Sequence, residues 1–429
     1  MHPVFVLVFH APACGPGRLA AALAAARLDL AGHHAWEFRA AGAADVRIIA
    51  EPDGRPFGAR LRDAATLLPM GAGLVTLGSG AIPLATTRDR GAFVAAAGAA
   101  GVSVDSGARE ATAPAGRGVR GATAPAGHPA AGPRREGPVA LANNRFSGDV
   151  VAIPDARRVL AALPDLDGDN ALPRWLAEHA GLAVVDLRGR RALQADLDGL
   201  ADLELLARSP RCPAVLRAAA VSSAADLADL RERIAAVMSV AADSRAEIVV
   251  AGRVSSAGLV HLERATACRV RALVEERGLR ASDPRAQGEA PTSAPTGPRA
   301  RVSRPPVSIL GMLLDRDGPD ALGPTLARLG DAAIVDTRVL LAHRLGADER
   351  SWPSLEDRLA SDLGRADLVA DPWLRSLTAS AESAPIPVLL GGHSLVGPGL
   401  DLLFPTRRPA GDAAAVRAGD DPGSGGRRP

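Results

Sequence analysis

The chain of 429 residues contains no lysine and no tyrosine, so all of its 50 lysine-or-arginine positions are arginine. A guanidinium stays protonated and binds phosphate or carboxylate through two parallel donors, whereas a lysine amine can lose its proton and act as a nucleophile. Schiff-base catalysis and a phosphate loop with an essential lysine are therefore excluded. Any strong cation that contacts a substrate in this chain has to be an arginine.

Cysteine is also scarce, and long apolar runs are missing. Cys14, Cys212 and Cys268 form no Cys-x-x-Cys pair, so neither a disulfide framework nor a structural zinc site is expected, and a reducing compartment fits. The N-terminus has no basic leader, and its apolar run is too short for a signal peptide. No apolar run reaches the roughly 18 residues that a membrane helix needs. We therefore predict a cytoplasmic protein with no membrane partner.

The net charge of +2 is unevenly distributed along the chain. Residues 103–137 contain five arginines and three acidic residues, residues 282–306 contain four arginines and two acidic residues, and residues 406–429 contain five arginines and three acidic residues. These segments are rich in Ala, Gly and Pro and are predicted to be mobile. A nucleic-acid surface needs basic residues on a folded face among aromatics, so no nucleic-acid partner is expected. Without these segments about 345 residues remain, a size that suits two domains. We assign the domains to 1–206 and 207–405, each interrupted by one insert, and the tail is predicted to be disordered.

Short apolar segments alternate with helical patterns along the first domain. Such alternation, with Gly- and Pro-rich loops between the segments, predicts an α/β fold whose mostly parallel sheet has helices on both faces, giving three layers. Strands are predicted at 4–9, 45–50, 74–77, 139–142, 150–153 and 183–187, with helices at 18–30, 57–68 and 87–100. The pattern of the second domain indicates a smaller α/β unit, and its segment 332–341 is predicted to be one strand.

Three loops of the first domain follow predicted strands and carry candidate nucleotide-binding residues. In open α/β sheets ligands bind beyond the carboxyl ends of the strands. Glycines allow close backbone approach, a helix N-terminus favours an anion, and an arginine adds a bidentate phosphate contact. An ordinary turn is the alternative for each loop. The candidates are Gly15, Gly17 and Arg18 in the first loop, Gly78, Ser79 and Gly80 in the second, and Asn143, Asn144 and Asp149 in the third.

Two sets of closely spaced aspartates are candidate cation ligands. Asp196 and Asp198 lie two residues apart on an extended segment before a helix, so their carboxylates would point the same way and could share Mg²⁺. A capping turn is the alternative. Asp165, Asp167 and Asp169 also alternate, but no glutamate follows at the distance of a calcium loop, so helix capping is favoured for them.

Two of these segments resemble motifs of a known group of enzymes. GSGAIPL at 78–84 is similar to the Gly-Asp-x-Pro-Leu motif of the nucleotide-diphospho-sugar transferase fold, and DLDGLADL at 196–203 is similar to its Asp-Ile-Asp-Thr-Pro-x-Asp-Leu motif. The resemblance covers about residues 1–206. Within this fold it points to small nucleotidyltransferases such as molybdenum-cofactor and phospholactate guanylyltransferases. It implies transfer of a nucleoside monophosphate from a triphosphate to a small-molecule or phosphorylated acceptor, with Mg²⁺.

The chain also departs from that pattern. The opening loop lacks the Leu-Ala-Ala-Gly start and the lysine, Ser79 and Gly80 stand where the middle aspartate is expected, and Gly-Leu replaces Thr-Pro in the last motif. On the resemblance, Asp149, Asp196 or Asp198 would hold the ion, with Arg18 in place of lysine. The alternative is a protein that binds nucleotide without turning it over, or serves as a scaffold.

The second domain carries polar residues at its predicted strand ends but no catalytic signature. Asp336 and Arg338 would share one face of the strand 332–341. His393 lies in a Gly-rich turn and is a candidate base or metal ligand, with a structural role as the alternative. A Ser394–His343–Asp336 triad lacks the Gly-x-Ser-x-Gly turn. An independent hydrolase or metal site is therefore a third hypothesis for this domain. Its candidates are Arg253, Asp336, Arg338, His343 and His393.

Overall fold

The computed structural model describes residues 2–13, 15, 17–51, 54–99, 138–275 and 306–406. The predicted insert 103–137 lies outside these residues, as do the other two low-complexity segments except for Pro306 and Thr406. The predictions of mobility for these segments are therefore not addressed by the described residues.

Strands and helices alternate through both halves of the described chain. The strands are β1 Val4–Phe9, β2 Asp45–Ile49, β3 Gly73–Gly78, β4 Val139–Ala142, β5 Val150–Ile153, β6 Ala183–Asp186, β7 Glu247–Gly252, β8 Arg269–Val274, β9 Ala332–Asp336 and β10 Val388–Gly391. The helices are α1 Arg18–Ala40, α2 Phe57–Thr66, α3 Thr87–Ala97, α4 Ala156–Val159, α5 Leu172–Glu178, α6 Leu200–Ala207, α7 Ala214–Ser222, α8 Ala228–Ala241, α9 Ser256–Ala265, α10 Ile309–Asp317, α11 Leu322–Ala327, α12 Thr337–Leu345, α13 Leu355–Asp362, α14 Pro372–Glu382, α15 His393–Val396 and α16 Gly399–Leu403.

Within the described residues, six strands of the first half form one mixed sheet in the order β2-β1-β3-β5-β4-β6. β1 pairs in parallel with β2 and β3, β4 pairs in parallel with β6, and β5 runs antiparallel to both of its neighbours. Val6 and Val8 of β1 contribute to a core under α1 and α3, whereas Leu7 contributes to a core under α2 and α5. Because successive residues of a strand face opposite sides, this pattern gives the predicted three layers.

The second half forms a parallel sheet whose described strands follow the order β10-β9-β7-β8. Its fully buried strands β9 and β10 are apolar except for Asp336 at the end of β9, as expected for a parallel sheet covered on both faces. The α/β class predicted for both halves is confirmed.

The hydrophobic core is continuous across the predicted domain boundary at 206. One cluster runs from Leu19 and Leu23 of α1 through α6 to the second sheet and ends at Phe404. The core around the second sheet therefore includes side chains of α1 and α6 from the predicted first domain. No helix in the described ranges is both long and apolar enough to cross a bilayer.

Two predicted elements were wrong in extent or type. The helix predicted at 18–30 continues to Ala40, because Leu30, Ala31, Ala35 and Phe38 keep an apolar face on the sheet. The predicted strand 332–341 ends at Asp336, whose side chain accepts a hydrogen bond from the backbone N–H of Arg338 and caps α12. Arg338 therefore lies on a helix and does not share a strand face with Asp336.

Candidate functional site

The six-stranded sheet has a cavity at its edge between β1 and β3. β2 lies on one side of β1 and β3 lies on the other, so the strand order reverses between β1 and β3. Open α/β sheets bind ligands at such a switch point. The cavity has a volume of about 140 Å³. It is lined by Phe9, Ala11, Arg27, Gly78, Ser79, Gly80, Ala81, Asp149, Asp169 and Asp196.

The glycine turn after β3 is held against two other segments. The Ser79 N–H donates to the carbonyl of Phe9 over 2.8 Å, and the Ser79 Oγ lies 3.1 Å from the Nδ1 of His10. The Leu197 N–H donates to the carbonyl of Gly80 over 3.0 Å. A Cβ at residue 80 would lie 2.9 Å from the Asp196 Oδ1, so this close approach requires glycine.

The turn continues into a strained residue. Ile82 has φ 44°, and positive φ is unfavourable for a β-branched side chain. The preceding carbonyl, of Ala81, lies 2.9 Å from the Nε2 of His34, and Arg90 contacts the His34 Nδ1. Burial, and next the charge of Arg90, lowers the pKa of His34 well below 6.5. A neutral His34 donating through Nε2 and accepting at Nδ1 fits both contacts and holds the turn in place.

Three carboxylates line the cavity, and their negative charge is poorly compensated. Burial, reinforced by the charge of Asp169, raises the pKa of Asp149 to about 7. Burial also raises the pKa of Asp169 to about 6, with a contribution from Asp198. The pKa of Asp196 is raised well above its usual value by burial and by the charges of Asp198 and Asp149. A bound cation would relieve this repulsion.

The predicted pair Asp196 and Asp198 is brought to the same place, but the two side chains differ in exposure. Asp196 forms an isolated antiparallel bridge with Ala81 and faces the cavity. Asp198 is 58% exposed, and Arg27 donates to its Oδ1 over 3.0 Å. The following helix is capped by another acid, because Asp202 accepts from the N–H groups of Asp198 and Gly199. Capping therefore involves Asp202, not the predicted pair.

The third predicted loop supplies one cavity residue and the side chains that orient it. Asn143 donates to the Asp149 Oδ2 over 2.8 Å and Ser147 donates to the Oδ1 over 2.9 Å. The other Asn143 contacts are with the carbonyl of Leu193 and the N–H of Val150. Asn144 bonds to Gln194 and the backbone of Phe146. Both asparagines thus have protein partners, and Asp149 faces the cavity.

The first predicted loop contacts the second half of the chain instead of the cavity. Arg18 pairs with Asp226 at 2.6 Å, and the Glu356 carboxylate accepts from the N–H groups of Leu19 and Ala20 over 3.0 and 2.8 Å. A Cβ at Gly17 would overlap that carboxylate. The start of α1 therefore already holds an anionic group. Gly15 is exposed, with φ 93° and open space around it.

The polar residues of the second sheet pair with one another. Arg253 donates to the buried carboxylate of Asp336 over 2.9 Å, and Arg338 forms two hydrogen bonds with Asp362 at 2.6 and 2.5 Å. We call these four residues the ion-pair network. Burial alone would raise the pKa of Asp336, but the guanidinium of Arg253 and the charge of His393 outweigh it and lower the pKa.

The two candidate histidines of this half lie apart. His393 begins α15 close enough to Asp336 to influence it, whereas the ring nitrogens of His343 contact the Ser308 N–H and the carboxylate of Asp315 at 3.2 and 2.9 Å. The described contacts thus join His343 to α10 and not to Asp336. The Ser394–His343–Asp336 triad does not form.

The donor set of the cavity suits a hard cation. Carboxylate oxygens are the ligands that Mg²⁺ prefers, and it commonly takes one or two of them together with substrate phosphates. Asp149 and Asp196 are near enough to interact electrostatically and both line the cavity. In the described part of the chain, no group of three or more His, Cys, Asp or Glu is arranged to hold a metal ion by itself. Two carboxylates would need phosphate oxygens or water to complete the coordination.

Two charged residues of the cavity lining, Arg27 and Asp169, were not favoured as ligands by the sequence. Asp169 was a candidate cation ligand for which helix capping was favoured, and Arg27 lies in the middle of a helix with no local motif around it. His10 contacts the cavity residue Ser79 and follows a strand directly, so the rule that ligands lie beyond strand ends could have identified it. Only the packing of α1 over the sheet brings Arg27 to the cavity.

The chain matches no protein-family model, no curated protein and no solved structure.

Proposed function

We propose that the chain is a divergent nucleotidyltransferase-like protein that binds a nucleoside triphosphate with Mg²⁺ in the cavity between β1 and β3. The observation that carries the proposal is the convergence of the glycine turn 78–80 with Asp149 and Asp196 at the switch point of the sheet. The resemblance of 78–84 and 196–203 to nucleotidyltransferase motifs supports it independently.

In the proposed reaction an acceptor oxygen bonds to the α-phosphorus, and the bond from that phosphorus to pyrophosphate breaks. Asp149 and Asp196 would hold the ion, which when bound would offset the negative charge on the phosphates. Asn143 and Ser147 would orient Asp149 for this task. The backbone at Gly78 and Gly80 has no side chain to obstruct a close approach of the phosphate chain. Acceptors with an ionised oxygen, such as a phosphate, need no base.

Thermal denaturation with each common nucleoside triphosphate, with and without Mg²⁺, tests the proposal. We expect stabilisation that requires Mg²⁺, of about 2.7 kcal/mol when the ligand is at 100 times its Kd. Asp196→Asn should abolish it. Asp165→Asn is the matched control, because Asp165 is an exposed partner of Arg62 outside the cavity. Absence of any response to triphosphates in the wild type would refute the proposal.

A second candidate is a non-catalytic nucleotide-binding or scaffold protein. Ser79, which stands near the position of the family's middle aspartate, is buried against His10. The turn itself therefore supplies no carboxylate. Stabilisation by triphosphate that is indifferent to Mg²⁺, without release of pyrophosphate in the presence of phosphorylated acceptors, would favour this candidate over the first.

A further inference from the structure

We propose that Arg27 contacts the phosphate groups of the nucleotide, in the role that the resemblance assigns to Arg18. The inference rests on the proposed function and adds to it the residue that recognises the phosphates. It also places the phosphate chain between the middle of α1 and the turn 78–80, away from the start of that helix.

The first argument is the position of Arg27. It lines the same cavity as Asp149 and Asp196 and, of the described residues around that cavity, it is the basic one that is always charged. Its side chain is 23% exposed, so most of it is packed while the cavity side remains accessible. A guanidinium in such a position can contact a ligand while the rest of the side chain stays packed against the protein.

The second argument is how the guanidinium is held. Its Nε donates to the carbonyl of Leu197 over 2.6 Å, and its Nη2 donates to Asp198 over 3.0 Å. Within the described part of the chain, the Nη1 has no acceptor. Since a guanidinium is planar and rigid, two anchored nitrogens fix the direction of the third. Arg27 is therefore oriented before a ligand arrives, which lowers the entropic cost of a bidentate contact with phosphate.

The third argument is that the alternative phosphate position is already taken. The N–H groups at the start of α1 donate to Glu356, and Arg18, which is 59% exposed, pairs with Asp226. A phosphate at that helix start would have to displace one carboxylate and approach another. Because the chain has no lysine, no lysine can serve in place of Arg27.

Isothermal titration of four ligands in the presence of Mg²⁺ tests this assignment on the full chain. The ligands are GTP, CTP, tripolyphosphate and guanosine, and the proteins are wild type, Arg27→Gln, Arg27→Lys and Arg18→Gln. Tripolyphosphate reports the phosphate contact independently of the base, and guanosine reports a base pocket without phosphates. Arg18→Gln is the matched control, since it removes the same group from the same helix.

We expect Arg27→Gln to weaken binding of tripolyphosphate, and of whichever triphosphate binds, by about 10–100-fold, the usual range for a charge-assisted hydrogen bond. Arg27→Lys should recover part of this loss, and affinity for guanosine should not change. The Arg18→Gln variant should bind the phosphate ligands with an affinity within about threefold of that of the wild type. Thermal denaturation without ligand identifies any variant that fails to fold. If Arg27→Gln does not fold, Arg27→Lys is compared with the wild type instead.

Two results would overturn the assignment. Equal affinities of wild type and both Arg27 variants for the phosphate ligands would do so, and so would a larger loss in Arg18→Gln. An equal loss for guanosine and triphosphate would indicate a structural role. Failure of the proposed function looks different, because the wild type would then bind neither triphosphate. If it still bound tripolyphosphate through Arg27, the phosphate contact would stand without the nucleotide.

Discussion

The carboxyl edges of the two sheets carry similar residues but differ in how their charges are compensated. At the second sheet, Arg253 pairs with Asp336 and Arg338 with Asp362, and the pairs are largely buried. At the first sheet, Asp149, Asp169 and Asp196 share one cavity with Arg27. The pKa of Asp336 is lowered, whereas the pKa of Asp149 is raised to about 7. The carboxylates at the first sheet are thus the ones whose charge a bound cation would balance, as the proposed function requires.

The largest effect is expected when the ion-pair network is broken. Arg338→Met leaves the buried carboxylate of Asp362 without its partner, and removal of one member of a buried pair typically costs about 3–5 kcal/mol. Urea denaturation measures the free energy of unfolding. The double variant Arg338→Met/Asp362→Leu, which removes both charges, should recover most of the loss. A loss below about 1 kcal/mol in the single variant would contradict the structural role of this pair.

Removal of a charge from the cavity should favour folding as pH rises, in contrast to its effect in the ion-pair network. The pH dependence of the unfolding free energy measures this effect. Because the pKa of Asp149 is raised to about 7, the folded chain keeps, between about pH 4 and 7, a proton that the unfolded chain has released. The stabilising contribution of this group is therefore lost as pH rises through 7. In Asp149→Asn that loss disappears. The unfolding free energy of the variant, minus that of wild type, should therefore increase by about 2 kcal/mol between pH 5 and 8.

The difference between the two proteins reports the Asp149 carboxylate together with its effect on the pKa of Asp196, which the charge of Asp149 helps to raise. The lowered pKa of His34 gives the opposite trend, with stability rising as pH increases through its titration, but both proteins contain it. The lost acceptor for Asn143 or Ser147 adds an offset that does not depend on pH. A difference that stays flat between pH 5 and 8 would show that the cavity charges are already balanced without a ligand.

A smaller effect is expected where the two halves meet at the start of α1. Gly17→Ala would push the Glu356 carboxylate off the N–H groups of Leu19 and Ala20, and Glu356→Ala would remove it. Each change should cost about 1 kcal/mol, the usual contribution of an N-terminal cap. Gly32→Ala is the control in the same helix, because a Cβ there meets open space. It should stabilise the chain by up to about 1 kcal/mol, and equal losses in Gly17→Ala and Gly32→Ala would contradict the capping role.

The strands were predictable because short runs of β-branched residues flanked by glycine and proline are typical of strands. Val4–Phe9, Val139–Ala142 and Val150–Ile153 lie where the sequence predicted them. The strand-end loops then identified Ser79 and Asp149 as candidates, and the two-residue spacing from Asp198 identified Asp196. The break between β9 and α12 was missed because apolar residues lie on both sides of the short polar segment 336–338, although Asp336 before Thr337 is a recognisable helix cap.

The sequence by itself determined the α/β class, the alternation of strands and helices and the absence of lysine chemistry, because these depend on local pattern and on composition. Tertiary structure alone decided which charges are neighbours. Arg18 lies closer in sequence to the first strand than Arg27, but packing of α13 against α1 gives Glu356 to the start of the helix, while Arg27 reaches the carbonyl of Leu197. Charge compensation depends on distances between residues more than 100 positions apart, and no local pattern encodes those distances.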